Sequence, residues 1–306
     1  MSISFKAASS TSSRFALGGY DLFLYCATVL AWGFSWYAIK LQGGVAVEIS
    51  LFWRFFLAAI GMLIWAAVRG HKLRFGLTQH LGFALLGALL FCINFLFFYN
   101  GTQLLPSGLV SVVFSLASVL NLALGFLLFG QRQSLRVLAG GLLGFGGVLL
   151  MFWPQFGGAN FDQGALIGLG LCAAGTLSFS CANMVSARLQ SFGISVVSAG
   201  FWGMIYGSGY LAIAGLVRGS TFTPPADPVY LGALLYLVVI ASVVAFGSYL
   251  TLLGRIGSAR AGYATVMFPV LALLVSTALE GYQWTWFAVA GLTSVLIGNI
   301  LVLTRG

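Results

Sequence analysis

The chain of 306 residues is 60% hydrophobic and 6% charged, with 14 Lys or Arg against 5 Asp or Glu and a formal net charge of +9. Soluble domains are roughly a quarter charged, so a soluble enzyme or signalling domain is excluded. The basic residues stand singly between apolar runs and build no patch, which excludes a nucleic-acid face and leaves the positive-inside bias of a polytopic membrane protein.

Residues 1–19 read as a Ser-rich polar tail holding Lys6 and Arg14. The first apolar run behind it is full length and lacks a cleavage site, so it is expected to be a retained span and not a signal peptide. Ten spans are then predicted at about 21–39, 46–68, 80–99, 107–129, 135–153, 164–187, 194–217, 229–252, 260–279 and 285–304. Each is close to the ~20 residues that a helix needs to cross the hydrocarbon core. The runs are too long for barrel strands and show no period-2 alternation, so the expected fold class is an all-α membrane protein. Cys26, Cys92, Cys172 and Cys181 all fall inside apolar runs, far from any CxxC or His cluster, and read as reduced thiols buried in lipid or in protein.

The connections set the orientation. With a cytoplasmic N-terminus, Lys6, Arg14, Arg69, Lys72, Arg74, Arg132, Arg136, Arg188, Arg255, Arg260 and Arg305 lie inside, while Glu48, Asp162, Asp227 and Glu280 lie at the outer face. This asymmetry predicts that both termini are cytoplasmic.

The fifth predicted span, Leu138 to Phe152, nearly recurs as Val289 to Val302 in the tenth, with small residues at matching intervals: Ala139/Gly140, Gly144 and Gly147, then Ala290/Gly291, Ser294 and Gly298. Lys40-Leu41-Gln42 likewise matches Arg188-Leu189-Gln190. The chain therefore reads as a tail (1–19) and two five-helix repeats, 20–153 and 154–306, in one transport domain. An odd number of spans per repeat inverts the second copy relative to the first, an arrangement that gives transporters a central site near the midplane.

Within the first span of each repeat, Thr28, Trp32 and Ser35 stand at the spacing taken again by Thr176, Ser180 and Asn183, one helix face in each case. Such a face either lines a cavity or bonds its own carbonyls one turn back. Ser107, Ser111, Ser115 and Ser118 make a second stripe, which fits tight helix packing as well as a narrow wet wall. Trp36, Asn94, Tyr99, Trp202, Tyr206, Tyr210, Tyr249 and Tyr263 are further candidates for a pocket of rings and polar groups, with plain core packing the alternative for each.

Arg54 is the clearest charge inside a span, and it is expected to snorkel to the outer end or to pair with Glu48 or Glu280 as a structural or gating charge, or else to meet a substrate carboxylate. No carboxylate relay or His lies within a span; His71 and His80 flank the basic loop. No HExxH, nucleophile elbow or Walker loop is present, so no catalytic residue, metal or cofactor is expected.

Trp32-Gly33-Phe34-Ser35, Trp53-Arg54-Phe55, Leu138-Ala139-Gly140 through Gly147-Val148, Pro269-Val270 and Leu279-Glu280-Gly281 together give the chain a resemblance to the drug/metabolite transporter superfamily, EamA type. It covers residues 20–304 and implies ten spans built from two inverted repeats in a bacterial inner membrane. Within the superfamily the chain looks most like the YddG group, which exports aromatic and other neutral amino acids. Against the family pattern, Ser118 stands in place of the proline matched by Pro269, and Gln131 in place of the acid matched by Glu280; the first half is thus expected to lack a kink.

The expected function is export of aromatic or hydrophobic neutral amino acids and related amphipathic metabolites by alternating access, facilitative because coupling carboxylates are missing. Export of cationic drugs and a non-transporting receptor or scaffold stay open beside it. The expected partners are a small-molecule substrate and the lipid bilayer, in a monomer or homodimer.

Overall fold

The computed structural model describes residues 18–129, 135–156, 162–256 and 264–303, and every regular element among them is helical. In chain order, α1 is Gly19–Lys40, α2 is Val47–Val68, and α3 joins Leu77–Leu86, a π-helical stretch Gly87–Ile93 and Asn94–Leu104. Next, α4 runs as Ser107–Ser115 and Ala117–Phe129, and α5 as Leu135–Met151, followed by the single turn Trp153–Phe156. Then come α6 (Gln163–Ser191), α7 (Val196–Val217) and α8, the last joining Pro228–Leu235, a second π-helical stretch Tyr236–Val244 and Ala245–Ile256. Finally, α9 is Ala264–Leu279 and α10 is Trp286–Leu303.

By length and composition, α1 to α4 and α6 to α8 can each cross a membrane, while α5, α9 and α10 carry shorter apolar stretches. Large apolar side chains such as Ile64, Leu142, Leu216 and Trp286 stand exposed, a surface suited to lipid.

Two helices extend beyond the apolar runs, because caps and left-handed glycines end a helix and hydropathy does not. α3 begins at Leu77, with the Gly76 N–H bonded to Gln79, so His80 is a helical residue and not a loop one. α6 runs from the Asp162 cap, whose carboxylate accepts the Ala165 N–H, to Ser191, and Gly193 at φ 76° turns the chain out. Only glycine adopts such angles without strain. Gly44 and Gly193 share them, as do Gly70 and Gly219, each pair 149 residues apart.

α4 also departs from expectation: it breaks at Leu116, two residues before Ser118, with no proline present. Ser111, Ser115 and Ser118 each donate to the carbonyl three residues back, tightening this stretch, and the first segment stops there.

Packing follows the small residues. α5 lies along α10, α2 along α7, and α4 against α9; α1 packs on α8 and α9, and α6 on α3 and α4. At the first contact a Cβ on Gly147 would stand 2.6 Å from the Gly291 carbonyl, so backbone touches backbone.

Candidate functional site

α1 carries Trp32 into the middle of the bundle between α8 and α9. Its ring centroid lies 5.2 Å from that of Tyr249, 6.2 Å from Phe246 and 6.4 Å from Phe268, and its Nε1 donates to the Ala241 carbonyl at 3.2 Å. That carbonyl belongs to the π-helical stretch of α8, where the regular ladder is disturbed.

One turn on, Trp36 meets Phe98 of α3 at 5.3 Å and Phe114 of α4 at 5.4 Å. Phe114 in turn touches Phe179 of α6 at 4.7 Å and Phe268 at 5.9 Å. Rings from the first five helices and the last five thus form one connected cluster. Edge-on and tilted contacts dominate it, as ring quadrupoles favour.

The small hydroxyls behave differently from the rings. Thr28 and Thr176 donate to the carbonyls of Leu24 and Cys172, and Ser35, Ser111 and Ser115 to those of Trp32, Gly108 and Val112. In the described conformation these groups satisfy their own helices. Three polar groups do not: among the described residues the Ser180 hydroxyl and the Asn94 carbonyl oxygen are buried without a partner, and Asn183 donates across to Asn121 at 3.2 Å.

Trp202 and Tyr206 lie apart from the ring cluster. They pack beside His80, whose Nδ1 is 3.0 Å from the Tyr206 hydroxyl and whose ring is 4.5 Å from that of Trp202. Trp202 also donates to the Leu73 carbonyl, tying this group to the loop between α2 and α3. Tyr210 lies exposed, and Tyr263 is outside the described residues.

Charges gather at the end of the bundle where α1, α7 and α9 finish and α2 and α4 begin. Lys40 pairs with Glu280 at 2.7 Å, and Glu280 also accepts from the Ser107 N–H and from the hydroxyls of Ser107 and Ser276. Burial pushes the Glu280 carboxyl up, but the bonds from Lys40, Ser107 and Ser276 outweigh it and hold the group below its usual range. Glu48 pairs with Arg218 at 3.3 Å and accepts from Ser220 at 2.9 Å.

The pairing expected for Arg54 is therefore corrected, since both carboxylates face other cations. Arg54 instead donates to the Tyr99 hydroxyl at 3.4 Å and lies over the rings of Phe95 and Phe55, at 4.6 Å and 5.1 Å. Tyr99 donates onward to Gln42 Oε1 at 2.8 Å. Sequence reasoning missed Lys40, Gln42, Phe114, Phe179 and Phe268. For Lys40 and Gln42 a signal existed, the tripeptide that recurs at Arg188-Leu189-Gln190; the phenylalanines were hidden among 27 of their kind.

The EamA-like transporter family model matches residues 20–153 and 166–304. Probable amino-acid metabolite efflux pumps of Escherichia coli and Salmonella typhimurium are each 26% identical to the chain; the first match covers 65% of this chain and 66% of that protein, the second 91% and 93%. The transporter YvbV of Bacillus subtilis is 25% identical over 90% of this chain and 89% of its own. One solved crystal structure shares the fold at a TM-score of 0.66 and 17% identity, covering 92% of this chain and 95% of that one.

Proposed function

The chain belongs to the EamA-like transporter family, and from that premise we propose that it exports aromatic and hydrophobic neutral amino acids across the inner membrane by alternating access. α1 to α5 and α6 to α10 are two repeats, inserted in opposite senses around a shared site, with both termini in the cytoplasm. The opposed senses follow from five helices in each half, and three features support the duplication itself. π-helical stretches fall in the third helix of each half, left-handed glycines recur 149 residues apart, and the packing of α1 on α8 is mirrored by that of α6 on α3.

The observation that carries the substrate reading is the ring cluster around Trp32, Trp36, Phe114, Tyr249 and Phe268, to which both halves contribute. Rings that separate when the halves rock form a wall on which a flat or apolar side chain stacks, while Asn94, Ser180 and Asn183 offer polar groups to its amino group. Lys40 with Glu280, and Glu48 with Arg218, close the outer end in this conformation and serve as its gate. The names of two relatives, amino-acid metabolite efflux pumps, agree with this class of substrate. Export of cations is less well supported, because Glu48 and Glu280 are both taken by basic side chains.

The test is flux from liposomes loaded with labelled Phe, Trp, Thr or Met. Protein-dependent efflux of at least one, persisting without a proton gradient, is expected. Flux of none would refute the substrate assignment, and flux that stalls without the gradient would refute facilitated movement.

A further inference from the structure

Arg54 is only 4% exposed, and among the described residues it has no ion pair. A cation held within a membrane span without a counter-ion is costly and marks function more often than architecture. The Phe95 and Phe55 rings and the Tyr99 hydroxyl compensate it in part. Among the described residues its Nε still lacks an acceptor.

A second orphan lies next to it. Arg54 can only donate, so Tyr99 accepts from it and must spend its own proton on Gln42; the Gln42 atom that receives it is therefore Oε1, which leaves Nε2 as a free donor. Gln42 is 2% exposed, and among the described residues its Nε2 has no partner. Both side chains bond the same hydroxyl, so their bonding atoms are no further apart than those two bonds laid end to end. One buried positive charge and two idle N–H donors thus sit on neighbouring side chains that share one hydroxyl, and among the described residues neither donor meets an acceptor. What fits is a monoanion with two oxygens.

We propose that Arg54 and Gln42, oriented by Tyr99, form the seat of the substrate's carboxylate. This rests on the reading of the protein as an amino-acid exporter and deepens it. Arg54 lies over Phe55 and Phe95, and Phe95 leads through Phe98 to Trp36, so the ring cluster on which the attached side chain stacks is continuous with the seat. Gln42 follows Lys40 by two residues, so the seat adjoins the Lys40–Glu280 pair. Molecules with the same side chain but no free carboxylate are rejected.

The experiment compares Phe, phenylalaninamide and sodium chloride as ligands in thermal unfolding of the purified full chain, and the two organic molecules in liposome flux. Wild type is stabilised by and transports Phe, and responds little to the amide. Arg54→Gln weakens Phe binding about tenfold or more, the loss expected for a charge-assisted bond. Because that variant could fold poorly, Gln42→Glu provides an independent test: it places a carboxylate in the seat, so the empty protein melts at a higher temperature and Phe no longer shifts it.

Equal responses to Phe and its amide, a shift by chloride as large as that by Phe, or a Gln42→Glu variant that melts lower or still binds Phe would each overturn the seat. Flux of Phe and its amide at equal rates overturns the seat alone. Flux of no amino acid overturns the export reading on which it rests.

Discussion

Ser107 and Ser111 are adjacent members of one stripe and do different work. The Ser107 hydroxyl donates to the Glu280 carboxylate, and its own N–H bonds the same group at 3.0 Å. The Ser111 hydroxyl only returns to the Gly108 carbonyl at 2.6 Å. Hydrogen bonds to charged groups are worth about 1.5–3 kcal/mol, so Ser107→Ala is expected to destabilise the protein by that amount in detergent unfolding. Ser111→Ala is expected to change stability by about 0.5 kcal/mol or less and to leave flux intact; loss of flux would mean that this hydroxyl turns to the substrate during transport. Periodicity alone placed both on one face but could not separate them, since the difference lies in a carboxylate 173 residues away. The same limit applies to Arg54, whose charge was plain in the sequence while its neighbour Tyr99 came from a helix that hydropathy describes only as apolar.

At the scale of elements, small-residue intervals in the fifth and tenth spans were legible and became the α5–α10 contact, because close backbone approach needs the absence of side chains. The break in α4 was not legible, since no proline marks it. The π-helical stretches of α3 and α8 were equally silent in the sequence. Ser178 accommodates the first by donating to the Leu89 carbonyl, and the Trp32 indole the second by donating to Ala241.

The Lys40–Glu280 pair, proposed as an outer gate, gives this scale its prediction. Glu280 has a folded-state pKa below its unfolded value of about 4.3. Its contribution is therefore fully present above the unfolded value and is lost as pH falls through the folded one. Acid on the outer side, or Glu280→Gln at neutral pH, should release Lys40 and Ser107. A cysteine in place of Ser111 on a cysteine-free background should then react faster with a membrane-impermeant maleimide applied outside. Unchanged reactivity in both conditions would show that Glu280 does not hold this end closed.

For the molecule as a whole, the membrane class was legible because it is written in composition, and the recurring intervals on which the proposed duplication rests need no tertiary contact to be seen either. The ring cluster was only half legible: Trp32, Trp36 and Tyr249 stand out as rare residues, but their meeting with Phe114, Phe179 and Phe268 depends on how α1, α4, α6, α8 and α9 converge. That convergence has a simple cause if the halves are inverted copies, since the two first helices, α1 and α6, then take equivalent places at the interface. Opposed insertion is what lets one site face alternate sides as the halves rock.

Ala46 caps α2 and its counterpart 149 residues on, Ser195, caps α7. Single cysteines at these two positions, on a background lacking the four native ones, can be labelled in intact cells with an impermeant maleimide. The account predicts that the cysteine at 46 reacts from outside and the one at 195 reacts only after the membrane is opened. Labelling of both from the same side would contradict it.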